Sequence, residues 1–336
     1  MWRASAVNEI IMSMKAIVQS APGGVDTLRL ATVEHPIPHE GQLLVRVRAA
    51  GVNRADIVQR EGHYPAPPGA SPILGLEVAG EVAEVRGPSR FKVGDAVFGL
   101  VPGGAYAEYV VLDSALATLK PERLSWVEAA SLPEAWMTAW FNLVEIGRVA
   151  EGERALIHAG ASGVGAAAIQ LARLLGLSVF ASAGSSEKMA FCVRLGAEQV
   201  YNWRELDHFS PMVRQWGGVD LILDPVGGSY LAENVACLNP DGRLIFIGVM
   251  GGAQSALNLA QVLMKRLTLR GSTLRTQPLE VKARLAAAIA EHVLPAQAAG
   301  LVHVTVDSVF PLVDAAQAHL YMESNRNLGK IMLQME

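Results

Sequence analysis

The run Leu156-Ile157-His158-Ala159-Gly160-Ala161-Ser162-Gly163-Val164-Gly165 joins three kinds of local sequence. Residues 155–157 are apolar and read as a short buried strand, a glycine-rich turn follows, and residues 166–175 carry a helical pattern. Strand, glycine turn and helix form the geometry that holds a dinucleotide pyrophosphate. Free N–H groups and the positive end of the helix dipole face the phosphates, and small residues let the backbone approach them. The spacing is Gly160-x-Ser162-x-x-Gly165, with Ser162 where the motif usually has a glycine. A βα turn without a ligand has the same appearance, so the rest of the chain has to decide between the two.

The chain has 336 residues, of which 51% are hydrophobic and 18% charged. That is enough for about two domains with a large core, and unlike a disordered chain. A net charge of −4 argues against a general nucleic-acid surface. The two cysteines, Cys192 and Cys237, sit in apolar helical patterns and read as buried hydrophobes; they cannot build a disulfide framework. No apolar run approaches the ~18 residues of a membrane span. Residues 1–13 lack the apolar centre of a signal peptide and read as an N-terminal extension. The expected location is the cytoplasm.

Upstream of the glycine turn the texture is all-β. Residues 15–19, 27–33 and 43–49 read as strands, and Leu44-Val45-Arg46-Val47-Arg48 alternates with period two. Further strands are expected at 77–85, 96–99 and 107–112. Dense punctuation such as Pro65-Ala66-Pro67-Pro68-Gly69 makes this an irregular barrel-like unit. At Ser125-Trp126-Val127-Glu128 a capping-box spacing opens a helix expected over 129–144, interrupted at Pro133.

Downstream of Arg154, strands at 155–158, 178–183, 199–201, 221–224 and 244–249 alternate with helices at 166–175, 187–195, 209–215 and 230–238. Near-continuous apolar strands separated by helices indicate a parallel sheet covered on both faces. After Gly271, a long helix at 279–293, a strand at 302–305, a helix at 313–322 and a last strand at 331–334 are expected to return to the first unit. The fold class is α/β: an irregular β-barrel plus a Rossmann doubly wound parallel sheet.

In such a sheet an acid after the second strand usually holds the ribose 2′-OH of NAD. Here Ala183-Gly184-Ser185-Ser186 has no carboxylate and Lys188 follows, which suits a 2′-phosphate and favours NADPH. Glu187 lies in a helix start, where a first-turn acid is ordinary. The alternative for Lys188 is a solvated helix residue.

Asn53-Arg54-Ala55-Asp56, Gly62-His63-Tyr64, Gly75-Leu76-Glu77-Val78-Ala79-Gly80, Gly94-Asp95-Ala96-Val97 and residues 159–165 together resemble the quinone oxidoreductase (zeta-crystallin-like) family. That family belongs to the medium-chain dehydrogenase/reductase superfamily. Pro133-Glu134-Ala135-Trp136-Met137-Thr138-Ala139 and Asn327-Leu328-Gly329-Lys330-Ile331 extend the match, which runs in order from Met14 onwards. The resemblance is greatest to stress-inducible NADPH quinone oxidoreductases. It implies a GroES-like catalytic domain over 14–135 and 275–336 and a Rossmann domain over 136–274. It further implies an NADPH cleft between them and a homodimer or homotetramer. Neither a nucleic-acid nor a membrane partner is expected.

Zinc alcohol dehydrogenases of the same superfamily carry a cysteine near the Asn53 position and a histidine in a Gly-His-Glu triplet. Here the triplet is Gly75-Leu76-Glu77, and residues 86–102 contain no cysteine. No metal is therefore expected. Without zinc to polarise an alcohol, the feasible chemistry is hydride transfer from NADPH to an acceptor already electrophilic, a quinone first of all. The alternatives are reduction of a 2-alkenal or enoyl thioester and, in another class, a non-enzymatic NADPH- or RNA-binding role.

Carried over residue by residue, the resemblance gives Tyr64, Asn53 and Asp56 a catalytic part that is mainly positioning. It places Asn53 and Thr138 beside the nicotinamide and ribose, and Tyr64 in the cleft. Structural alternatives are Asn53 capping the following helix and Tyr64 packing on Pro65. Gly160, Ser162, Gly163, Val164 and Gly165 would cradle the pyrophosphate. Gly184, Ser185 and Lys188 would hold the 2′-phosphate. Trp203 stands where the family usually has a tyrosine; it would stack on adenine, with Arg204 supplying charge. Asp224 would form the strand-end turn over the cofactor. Gly248, Val249 and Met250 would line the nicotinamide end, the alternative being the end of a core strand. Gly271, Ser272 and Thr273 and, near the end, Asn325 and Lys330 would lie beside the cofactor.

Overall fold

The computed structural model describes residues 13–206 and 208–335. The expected N-terminal extension therefore lies outside the described residues except for Ser13, which begins the strand Ser13–Gln19.

Six parallel strands form one sheet. In spatial order they are Gln199–Asn202, Ser178–Ala183, Arg154–Ile157, Val219–Asp224, Leu238–Phe246 and Thr268–Gly271. In chain order this is 3-2-1-4-5-6, so the strand order reverses between Arg154–Ile157 and Val219–Asp224. Ligands of doubly wound sheets bind in the crevice at that reversal. The central strands are apolar on both faces: Ala155, Leu156, Ile157, Leu221, Ile222 and Leu223 are all buried. The helix Gly163–Leu174 lies close against them because Ala166, Ala167, Ala168 and Ala172 present only methyl groups.

A second, seven-stranded sheet carries the β-rich texture. Its spatial order is Val306–Pro311, Lys330–Gln334, Gln42–Val52, Glu77–Val85, Ala96–Leu100 and Ala117–Leu119, with Tyr109–Asp113 also on Gln42–Val52. The last strand pairs antiparallel with Gln42–Val52, Ile331 opposite Val52. This pairing sets Lys330 beside Asn53. Among the described residues no helix is long and apolar enough to cross a membrane.

Several elements differ from expectation. The helix expected over 129–144 is three pieces: Trp126–Ala130, Pro133–Trp140 with Pro133 in its first turn, and a wider turn at Phe141–Ile146. Proline at a helix start loses no hydrogen bond, so it begins a helix where the sequence reading had it interrupt one. The strand expected at 302–305 lies instead at Val306–Pro311. The Gln170 amide brackets the backbone of His303, accepting from its N–H at 2.6 Å and donating to its carbonyl at 3.1 Å, so no strand forms there. The strand expected to reach Val249 stops at Phe246. The helix Leu259–Lys265 and the edge strand Thr268–Gly271 had no sequence signal, because their faces are largely exposed.

Candidate active site

The glycine turn closes on itself. Ser162 caps the helix Gly163–Leu174, its Oγ accepting from Gly165 N at 3.0 Å. The hydroxyl hydrogen remains free. A Cβ on Gly165 would lie 2.3 Å from the Ala159 carbonyl oxygen, and one on Gly160 would lie 2.8 Å from Cys192 Sγ. These two glycines serve close packing of turn, helix and neighbouring strand. Gly163 lies under the Lys330 side chain, and Gly329 N donates to Ala161 O at 2.8 Å. Among the described residues the backbone N–H groups of Gly163 and Val164 have no hydrogen-bond partner. They point out of the helix start and fit a pyrophosphate.

At the end of the second strand, Ser185 caps the helix Ser186–Leu195 by accepting from Lys188 N at 3.3 Å. Gly184 lies beneath the Trp203 indole, where a Cβ would meet Nε1 at 2.8 Å. The Arg204 guanidinium stands 5.1 Å over the Trp203 ring. Lys188 Nζ donates to Asn325 O at 2.7 Å, and Arg54 donates to Asn325 Oδ1 at 2.7 Å. Burial, then the charges of Arg204 and Arg54, hold the Lys188 ammonium below its usual range. A lysine crowded by two arginines, with no carboxylate hydrogen-bonded to it among the described residues, fits a phosphate. Arg54 was missed in the sequence because its neighbour here, Asn325, is remote along the chain.

Asp224 shapes the turn at the end of its strand. It is fully buried, and its oxygens accept from Val226 N (2.6 Å), Gly227 N (3.1 Å) and Asn234 Nδ2 (2.9 Å). Both oxygens thus take part in shaping the turn. Asn234 in turn meets buried His158 at 2.7 Å. Gly248, Val249 and Met250 form a turn tied to the 225–228 turn, with Met250 N donating to Pro225 O at 3.1 Å. Val249 and Met250 are more than half exposed, so the core-strand alternative falls. Ser272 N pairs with Phe246 O at 2.9 Å, and the Thr273 hydroxyl meets that of Thr276 at 2.8 Å.

Asn53 precedes the short helix Arg54–Arg60, with its backbone N–H on Asp56 Oδ2 at 2.8 Å. Its side chain instead donates to Glu77 Oε1 at 2.9 Å and accepts from Lys330 Nζ at 2.6 Å. Lys330 also forms a buried ion pair with Glu77. The other Glu77 oxygen accepts from Glu134 N at 2.8 Å, fixing the start of the helix that carries Thr138. Asp56 is fully buried and accepts from Asn53 N, Gly75 N (3.0 Å) and Tyr106 OH (3.2 Å). Burial pushes it up to about 6 against the pull of those donors. It ties three segments together and touches no open space, so the expectation of a catalytic Asp56 reduces to positioning.

Two residues missed in the sequence face the same small cavity. Glu134 and Arg275 line it with Leu76, Leu100, Val101 and Lys282. Arg275 is 7% exposed; its Nε and Nη2 donate to Pro102 O at 3.0 and 2.6 Å, while Nη1 has no partner. Its guanidinium stands 5.4 Å over the Tyr64 ring. Tyr64 therefore packs on a buried cation as well as lying in the Pro-rich loop. Outside the cavity, a groove of about 690 Å³ runs between residues 114–118 and the helix Leu279–Ala288, walled by Ala115, Ala283 and Ala286. The groove is larger, but the chemistry-bearing groups are in the cavity.

Residues 163–291 match the zinc-binding dehydrogenase family, and residues 39–122 match the alcohol dehydrogenase GroES-like domain. Among the described residues no group of three or more His, Cys, Asp or Glu side chains is arranged to hold a metal ion. The chain is 32% identical over 326 residues to the quinone oxidoreductase of Sus scrofa, covering 95% of this chain and 97% of that one. It is 34% identical over 324 residues to a phthioceranic/hydroxyphthioceranic acid synthase of Mycobacterium tuberculosis, covering 93% of this chain but only 15% of the synthase. A mycobacterial protein solved as an NADPH complex superposes with a TM-score of 0.86 at 29% identity, covering 96% of this chain and 99% of that one. CurK enoyl reductase superposes with a TM-score of 0.82 at 28% identity, with the same coverage. The reversal-point turn, the second-strand cation cluster and this full-length similarity agree: the chain belongs to the quinone oxidoreductase family of the medium-chain dehydrogenase/reductase superfamily.

Proposed function

We propose that the chain is a zinc-independent, NADPH-dependent reductase of quinones. The observation that carries this reading is Arg275: a buried guanidinium with one unpaired nitrogen among the described residues, standing over the Tyr64 ring. An unpartnered buried donor is costly unless an occupant completes it. The oxygen of a carbonyl acceptor gains negative charge as it is reduced, and suits that donor. The full-length similarity to a quinone oxidoreductase supports the same acceptor.

Bound NADPH supplies a hydride, that is, two electrons and one proton. The protein's part is to hold the reacting groups in place. Gly163 and Val164 N–H groups take the pyrophosphate; Ser185, Lys188 and Arg204 take the 2′-phosphate. Glu77 and Lys330 lock the Asn53 amide at the reactive end, and Tyr64 offers a flat face to a quinone ring. Overall, quinone, NADPH and a proton give hydroquinone and NADP+. A second reading, reduction of an activated C=C bond, is favoured by the Glu134 carboxyl in the cavity.

The test is NADPH oxidation with a panel of ortho- and para-quinones; NADPH binding without turnover on any of them contradicts the reading. Lys188→Ala is expected to raise the KM for NADPH by about tenfold or more while changing that for NADH little, because a charge-assisted phosphate contact contributes roughly 1.5–3 kcal/mol. Steady-state kinetics with the two cofactors checks this.

A homodimer is proposed through the outer edge of Thr268–Gly271, where Leu259, Leu263 and Met264 are largely exposed on the adjoining helix. An open apolar strand edge favours pairing with a second copy. The double change Leu263→Glu and Met264→Glu is expected to halve the sedimenting mass. The proposed location is the cytoplasm.

A further inference from the structure

We infer, on the NADPH reading above, that His158 is a positioning residue of the dinucleotide site: with its ring proton on Nε2, it joins the pyrophosphate turn to the turn after the neighbouring strand in one directional chain of hydrogen bonds. His158 directly follows the strand Arg154–Ile157. Its backbone N–H donates to Leu223 O at 3.1 Å, across the point where the strand order reverses. His158, Ser182, Asn234 and Asp224 are all buried. Four polar side chains buried side by side are tolerated only when each is paired.

The direction of the chain follows from its two ends. Asp224 Oδ2 accepts from Asn234 Nδ2 at 2.9 Å, so the amide oxygen of Asn234 is the atom that faces the ring. An amide oxygen only accepts. His158 Nε2, 2.7 Å from Asn234 Oδ1, therefore carries the proton and donates. At the other end, Ser182 Oγ accepts from Ala159 N at 3.1 Å. Its hydroxyl hydrogen is left for His158 Nδ1, 3.1 Å away. The Tyr201 hydroxyl, 3.3 Å from Nδ1, is a second donor to the same lone pair. Burial holds the ring below its usual range, against the pull of Asp224 and of the Asn234 bond, so Nδ1 keeps that lone pair at neutral pH. The rings of Tyr230 and Phe209 lie 4.8 and 5.2 Å from the imidazole and cover it.

Each end of the chain sets a turn at the crevice. Ala159 is left-handed, with φ at 51°, a conformation that residues with a side chain rarely adopt. Ser182 holds it there twice, through Oγ on Ala159 N and through its carbonyl, which accepts from Gly160 N at 2.8 Å. The Ala159 carbonyl then accepts from Ser162 N at 2.9 Å, and the helix start that presents Gly163 and Val164 N–H follows at once. At the far end, Asp224 Oδ1 takes Val226 N at 2.6 Å and Gly227 N at 3.1 Å, with Gly227 at a φ of 82°. That turn fixes the next one, through Gly251 N on Val226 O at 2.7 Å and Gly228 N on Gly252 O at 2.8 Å. An apolar side chain of similar size fills the same space but holds neither end. His158 acts through Ser182 and Asn234, so it positions the site and takes no part in the reaction.

The tautomer is read first, by nitrogen-15 NMR of the histidines in the protein without NADPH at pH 7. His158 is expected to carry one ring proton, on Nε2 and protected from exchange; an Nδ1–H or doubly protonated ring overturns the inference. Affinity is read next, by NADPH fluorescence titration of variants whose near-ultraviolet circular dichroism is native. His158→Leu is expected to weaken NADPH about tenfold or more, since it leaves buried partners of both turns unpaired. His158→Gln keeps a donor beside an acceptor and is expected to stay within about threefold of wild type. Ser182→Ala is expected to weaken NADPH as well, and to add little to His158→Leu because the chain is then already broken. If His158→Leu does not fold, Ser182→Ala and His158→Gln decide between them. A histidine that only stabilises the core predicts lower melts in urea with the NADPH affinity of the folded protein unchanged. Unchanged affinity in His158→Leu or Ser182→Ala, a Gln variant no better than Leu, or losses that add in the double variant overturns this inference alone. A wild-type protein that binds no NADPH overturns the cofactor reading too.

Discussion

Replacing Gly165 by valine is expected to abolish NADPH binding and to cost about 2–3 kcal/mol of stability. The Cβ alone would sit 2.3 Å from the Ala159 carbonyl oxygen and 2.8 Å from Gly160 Cα. Both are backbone atoms, so no side chain can swing aside. The helix Gly163–Leu174 has to move away from the strand Arg154–Ile157, and its N-terminal N–H groups move with it. Ser162 also loses its cap on Gly165 N. Urea melts and NADPH fluorescence titration read the two losses. Gly163→Ala is expected to be milder, because there the Cβ meets a side-chain methylene of Lys330, at 2.5 Å, and no backbone atom.

Lys330→Met is expected to cost about 3–5 kcal/mol and to remove most activity. Lys330 and Glu77 are 5% and 0% exposed, so the change strands a carboxylate in the core beside Asn53. Asn53 Oδ1 loses its 2.6 Å partner at the same time. Adding Glu77→Gln removes the stranded charge and is expected to restore most of the stability without restoring activity, since the Asn53 amide remains unlocked. Denaturant melts of the single and double variants, run beside NADPH-dependent turnover, separate the two effects. Single and double variants of equal stability would show that the pair does not hold this corner together.

The parts of the site that were legible in the sequence are local ones. A strand, a glycine turn and a helix follow one another without interruption, so the reading of 155–175 matched the elements within a few residues. Ser185 capping, with Lys188 three residues on, is local too. What was illegible depends on distance along the chain. Lys330 reaches Asn53 across 277 positions, and Arg54 and Lys188 meet at Asn325 from opposite directions. Glu134 and Arg275 lie 141 positions apart, and only the fold brings them to one lining. Asp224 illustrates the reverse. Its strand-end position was readable, but whether its oxygens face a ligand or the turn depended on Val226, Gly227 and Asn234. The strand at Val306–Pro311 was displaced in the reading because Gln170, from another helix, takes the backbone of His303.

A single-turnover experiment tests the account most directly. Enzyme loaded with one equivalent of NADPH, confirmed bound by its fluorescence, is mixed with 1,4-naphthoquinone, and the reduced-nicotinamide absorbance is followed. The account predicts complete loss of that absorbance in one phase, with one equivalent of hydroquinone formed. Bound NADPH that keeps its absorbance with this quinone and with 2-methylcyclohex-2-enone contradicts it.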